Sequence, residues 1–173
     1  MISNEKLSLE VKINRLVSLY KKENLEEALL EAKSLANKYP NVSIIYNIYG
    51  VINLALGNWN ESIICFSKSI KLNADNADAF YNMGIAMDNL NNFEEAIENY
   101  AKAIEIKPDF EKANEALIRI LSFYDPEKNN SNLCIKANKL LQKINYIYDP
   151  NKKISDDHVI NFFKKCDDVI SKN

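Results

Sequence analysis

The chain has few of the residues that build tight turns or catalytic sites. It contains 3 glycines, 4 prolines and 1 histidine among 173 residues. So few turn-forming residues exclude a sandwich or barrel with many short strands. The single histidine, His158, follows Asp156 and Asp157, but adjacent helical residues point apart. We therefore expect a surface histidine and predict a protein that is not an enzyme, with no cofactor and no metal site.

The cysteines and the charges exclude two further classes of protein. Cys65, Cys134 and Cys166 are far apart, form no CxxC pair and lie on apolar helical positions. They are predicted to be buried free thiols, which indicates a reducing compartment. The net charge is −2, and no run of Lys or Arg is longer than two residues. The sequence therefore favours a cytoplasmic protein that does not bind nucleic acid.

The sequence has no long hydrophobic run. Its most apolar segment, residues 42–56, is interrupted by Asn47 and Asn53 and is too short for a membrane span. The first ten residues, MISNEKLSLE, are too polar for a signal peptide, and residues 1–8 are predicted to fray. We therefore expect no membrane partner.

Residues 77–110 read as two helices joined by a tight turn. Phe80, Met83 and Met87 share one helical face, and the segment from 93 to 106 repeats that spacing. Asn91-Asn92 can adopt the left-handed backbone of a turn, and Pro108 ends the second helix. The segment therefore predicts a helical hairpin.

This hairpin closely resembles the tetratricopeptide repeat, a helix–turn–helix motif that stacks in tandem copies. The matching positions hold a large residue, a Leu-Gly-like pair, an apolar residue, an alanine, an aromatic residue, an alanine and a proline: Phe80, Met83-Gly84, Met87, Ala96, Tyr100, Ala103 and Pro108. The resemblance implies a protein-interaction fold of the bacterial type of this family.

The same pattern recurs along the chain. Asn24, Asn58 and Asn92 are separated by the length of one such repeat, as are the glutamates that follow them, and Phe66 matches Tyr100. The recurrence predicts repeat units at about 9–42, 43–76 and 77–110, with a degenerate fourth unit at 111–145. Residues 155–171 form an apolar stripe that is predicted to be a capping helix, or alternatively a surface that docks onto a partner or a further domain. The predicted fold is all-α, a right-handed α-solenoid of helix hairpins in a single domain, residues 1–173.

The resemblance also implies a peptide-binding groove, which the first helices of successive units would line. Members of the family that bind chaperones clamp a carboxylate with Lys, Asn and Arg, whereas these positions are mostly apolar here, so we expect no binding of an acidic chaperone tail. An alternative is that Ile13, Val17, Val51 and Leu54 bury against the chain's own ends. The residues that the resemblance assigns to the groove are Ile13, Val17, Asn47, Val51, Leu54, Tyr81, Ile85, Asp88, Glu115, Arg119 and Ser122.

The leading functional hypothesis is a non-enzymatic scaffold or adaptor that binds a peptide or helix of a protein partner through apolar anchors. The competing hypothesis is that the chain recruits substrate for a larger transferase-type enzyme whose catalytic domain is absent. Self-association through the last helix is a third hypothesis.

Overall fold

A computed structural model describes residues 2–123, with side chains from 8 to 121, and the isolated helical positions 132, 135 and 139. Outside these residues lie most of the predicted second helix of the fourth unit, the predicted capping helix, Cys134, Cys166 and His158. The chain divides into two compact units, Met1–Ala86 and Met87–Asn173, and each is described by itself.

Seven helices account for most of residues 2–123, and this part of the chain contains no strand. Three of the helices begin at a constant interval, at Ser43, Ala77 and Glu111. The helices are α1 (Ile2–Lys21), α2 (Leu25–Lys38), α3 (Ser43–Ala55), α4 (Trp59–Leu72), α5 (Ala77–Asn89), α6 (Phe93–Ile106) and α7 (Glu111–Phe123).

The expectation that residues 1–8 fray is wrong for most of them, because α1 begins at Ile2. Polar residues such as Glu5 and Lys6 are good helix formers, and no Gly or Pro interrupts the segment. The polarity of these residues therefore did not indicate where α1 begins.

The three helical hairpins turn through the same backbone geometry. Glu23, Gly57 and Asn91 have φ values of 59°, 76° and 61°, in the left-handed region. The next residue in each turn donates its N–H to the carbonyl five positions earlier, over 3.1, 2.9 and 2.9 Å. This pairing satisfies carbonyls at the end of the first helix, as in the Schellman motif. The left-handed residue of the first turn is thus Glu23, directly before Asn24.

Unit one has a core formed by α1, α2 and α3, in which alanines let the helices approach closely. Its buried members are Leu16, Ala28, Ala32, Leu35, Ala36, Ile45 and Ile52. On α4, Phe66 is fully buried.

Unit two has a corresponding core, in which α6 packs on α7. The buried residues of α6 include Ile97, Tyr100 and Ile104, and those of α7 include Leu117 and Ile120. The buried positions of α6 are ones that the helical spacing of residues 93–106 predicts.

Candidate functional site

The first unit carries seven of the predicted groove residues. Asn47, Val51 and Leu54 are spaced i, i+4, i+7 on α3, so at about 100° per residue they share one face of the helix, turned away from Ile45 and Ile52 in the core. The other four lie on α1 and α5: Ile13, Val17, Tyr81 and Ile85.

All seven residues are half-buried. Ile13 also packs against the core of unit one. Partial burial is compatible with a groove lining and with contacts inside the chain, so the assignment of these residues to a binding surface stays a prediction.

Asn47 has an unsatisfied polar atom. Its Oδ1 is shielded from solvent and accepts no hydrogen bond. Among the described residues, the only other side-chain oxygen in this state is Oδ1 of Asn114, whose amide nitrogen donates to the Pro108 carbonyl over 3.4 Å. A buried acceptor without a donor costs about 1–3 kcal/mol. The Asn47 carbonyl would therefore gain from a hydrogen-bond donor, which a ligand could supply once this side chain turned outward.

Asn53 lies on the same helix but has a structural role. It is 3% exposed, and its Nδ2 donates to the Tyr49 carbonyl over 3.0 Å. Its Oδ1 accepts from Nδ2 of Asn58 in the following turn, over 3.4 Å. Because both ends of this amide are paired within the chain, Asn53 ties α3 to the turn that follows it.

The remaining predicted groove residues lie in the second unit. Asp88 is in the last turn of α5, and Glu115 and Arg119 are one turn apart on α7. Arg119 donates to the Asp88 carboxylate, with the Asp88 side chain 15% exposed and that of Arg119 53% exposed. The side chain of Ser122 lies outside the described part of the chain. The sequence assigned Asp88 and Arg119 to different positions of the repeat, both on the predicted groove, but did not reveal their ion pair.

The repeat spacing also points to a residue that the prediction omitted. Tyr20 on α1 occupies the same position of the repeat as Leu54 and Asp88. Its side chain is half-buried and packs against the core of unit one. The spacing alone could have identified it.

Cys65 is a free, buried cysteine, as predicted. Burial, together with the nearby Glu61 carboxylate, raises the pKa of its thiol to about 11. The pKa of Tyr49 is also raised, mainly by burial and further by the nearby charges of Cys65 and Glu61. The thiol is therefore protonated at neutral pH and is a poor nucleophile.

The second helices of the first two repeats present apolar side chains to solvent. Leu30 on α2 is 71% exposed and Ile64 on α4 is 68% exposed, and they occupy the same repeat position. They provide controls for the groove residues, since they are apolar and lie on different helices.

The described helices contain none that is both long and apolar enough to cross a membrane. Within the same residues, no group of three or more His, Cys, Asp or Glu side chains could hold a metal ion.

Comparisons with known proteins identify the repeat. The family model of the tetratricopeptide repeat matches residues 77–110, and a second model, described as TPR repeat, matches residues 50–91. The peroxisomal targeting signal receptor of Candida albicans is 33% identical over 64 residues, which are 37% of this chain and 11% of the receptor. The chain thus spans about a tenth of that relative's length.

Solved structures share the fold. The first TPR of Spaghetti (RPAP3), bound to an HSP90 peptide, is 19% identical with a TM-score of 0.63, and the likeness covers 65% of this chain and 89% of that one. MamA is 21% identical with a TM-score of 0.64, over 95% of this chain and 79% of that one. The predicted fold class, an all-α solenoid of helix hairpins, is confirmed. Residues 50–110 of the chain thus carry tetratricopeptide repeats.

Proposed function

We propose that the protein is a non-enzymatic interaction module that holds an apolar peptide or helix of a protein partner against the first helices of its repeats. The observation that carries this proposal is the combination, on one face of α3, of Val51 and Leu54 with the unpaired carbonyl of Asn47. A bound segment would bury apolar side chains against Val51 and Leu54 and donate a backbone N–H to the carbonyl of Asn47.

The energetic argument rests on the asymmetry between made and unmade hydrogen bonds. The chain already bears the desolvation cost of the Asn47 carbonyl, which is closed to solvent. A ligand N–H would recover that cost once the Asn47 side chain turned toward the bound segment. Each apolar side chain that becomes fully covered adds about 25 cal/mol per Å² of area removed from water. A ligand that supplies both contacts fits this face better than a purely polar one.

The solved relatives give this proposal a precedent. In the RPAP3 structure, a fold like this one holds a peptide. The alternative, a recruiting region of a larger transferase-type enzyme, is less favoured, because the half-buried apolar face of α3 suits a peptide segment directly. A cytoplasmic location belongs to the same proposal and is supported by the free thiol of Cys65.

A capture experiment tests the proposal. The full chain, immobilised, is exposed to native lysate, and the retained proteins are compared with those retained by Asn47→Ala and Tyr81→Ala. Both variants should lose the partner, whereas Leu30→Ala, at an exposed apolar position on α2, should keep it. Retention of the partner by both groove variants would place the binding surface elsewhere. The mass of the chain measured by light scattering at several concentrations tests self-association separately.

A further inference from the structure

We propose that residues 155–171 fold back onto one stripe of α6, formed by Ile97, Ala101 and Ile104, and cover it. The predicted capping helix would thus lie along the second helix of the third repeat. This inference does not depend on the proposed function, because α6 carries none of the predicted groove residues.

The α6 stripe is buried more completely than its counterparts in the other repeats. Ile97, Ala101 and Ile104 are spaced i, i+4, i+7 and share one face of the helix. Each of them is at most 2% exposed. At the position of Ala101, the first two repeats hold Lys33 and Ser67, and both of these side chains are exposed. Ala101 is therefore covered by a part of the molecule that has no counterpart at α2 or α4.

Regular packing of the repeats does not bury this position. On α4, the hydroxyl of Ser67 donates to the sulfur of Met83 on α5 over 3.8 Å, yet Ser67 stays exposed. The first helix of the following repeat thus reaches this position without closing it. Serine and alanine are both small, so side-chain size does not explain the difference. In unit two α7 takes the place of α5, and the remaining cover of Ala101 comes from another part of the chain.

Residues that follow α7 can supply this cover, because they belong to the same compact unit as α6, Met87–Asn173. Residues 132–145 are predicted to be the second helix of the fourth unit and would pack on α7. That leaves residues 155–171, whose apolar positions recur at helical spacing and would complement the α6 stripe. These positions are Val159, Phe162, Phe163, Cys166, Val169 and Ile170.

The chain between the two segments is long enough for this return. Residues 146–154 can extend over about 30 Å, whereas the axes of packed helices are about 8–10 Å apart. A helix at 155–171 can therefore reach α6 from beyond α7. Once docked there, its apolar positions are buried within the chain and are not free for self-association or for a partner.

Maleimide labelling of the full chain tests the inference, with mass spectrometry of the peptides reporting each cysteine separately. Cys166 belongs to the proposed docking segment, and Cys134 belongs to the predicted second helix of the fourth unit. Ala101→Glu places a charge in the covered stripe and should raise the labelling rate of Cys166 about tenfold, because the segment is released to solvent. The rate at Cys134 should stay the same. Ser67→Glu, the matched change at an exposed position of α4, should alter neither rate.

A second measurement does not depend on the folding of Ala101→Glu. Ala101→Cys should be labelled slowly in the otherwise unchanged chain. Combined with Phe162→Asp and Phe163→Asp, it should be labelled about tenfold faster, because the charges prevent docking of the segment. Ser67→Cys should react fast with and without the two phenylalanine changes.

The inference is overturned if Ala101→Glu leaves the Cys166 rate unchanged in a folded chain, or raises the rate at Cys134 as much or more. It is also overturned if position 101 reacts as fast as position 67, or if the two phenylalanine changes leave the rate at position 101 unchanged.

Discussion

Gly50 on α3 lies directly against the ring of Phe66 on α4. A Cβ built on Gly50 would be 2.5 Å from Cε1 and 2.7 Å from Cδ1 of that ring. Real Cβ atoms do not approach other carbons so closely, and Phe66 is fully buried, so its ring has little room to move. The absence of a side chain at position 50 is thus what allows the two helices of this hairpin to pack.

Gly50→Ala should lower the free energy of unfolding by about 1–3 kcal/mol, the usual cost of overpacking a core. Denaturant titration measures it. Phe66→Leu should recover part of the loss when combined with Gly50→Ala, because a smaller side chain makes room for the added methyl group. Strictly additive effects of the two changes would show that the contact is unimportant.

Glu23→Gly should stabilise the protein by about 0.5–1 kcal/mol. Glu23 has a φ of 59°, which is unfavourable for a residue with a Cβ, and glycine adopts that backbone without strain. Thermal unfolding of the variant provides the measurement. Gly57→Ala, at the equivalent turn with a φ of 76°, should be destabilising by a similar amount. A lower melting temperature for Glu23→Gly would contradict this account of the turn.

Asn47→Ala and Asn53→Ala should have opposite consequences for stability although both lie on α3. Truncation of Asn53 breaks its bonds to Tyr49 and Asn58 and should cost about 1–3 kcal/mol. Truncation of Asn47 removes a buried acceptor that has no partner and should be neutral or stabilising. Chemical denaturation of the two variants side by side decides the matter. A large loss of stability for Asn47→Ala would make it a structural residue and not a binding residue.

The stability of the protein should decrease between pH 9 and pH 11 because of Cys65. The folded state raises the pKa of this thiol from 9.0 to about 11, chiefly through burial, so it holds the proton more tightly than the unfolded chain does. The resulting contribution is fully present below pH 9 and is lost as the pH rises toward 11. The slope of unfolding free energy against pH should be shallower in Cys65→Ala. An identical slope in the two proteins would show that the thiol is not desolvated.

The sequence predicted the helices of residues 9–123 well because one physical pattern repeats. Apolar residues at helical spacing define each helix, and the same turn returns once in every repeat, so Gly57 and Asn91 reveal their turns directly. Glu23 was missed because glutamate gives no local signal for a left-handed backbone. Its equivalence to Gly57 in the repeat is the signal that identifies it.

The site was less predictable, because its chemistry depends on which polar atoms find partners in three dimensions. Asn47 and Asn53 are the same residue type on one helix, yet only the second is satisfied. Asp88 and Arg119 are 31 positions apart, and only the fold brings them into contact. The position of a residue within the repeat thus predicts where its side chain lies on the helix, but not which group it binds.

Site-specific photo-crosslinking tests the central claim most directly. Benzoylphenylalanine is introduced at Val51, on the predicted binding face of α3, and separately at Ile64, an apolar position on α4 that is 68% exposed. After irradiation in native lysate, the partner retained by the unchanged chain should be joined covalently to the variant at position 51 and not to the variant at position 64. Crosslinking at position 64 with none at position 51 would contradict the account.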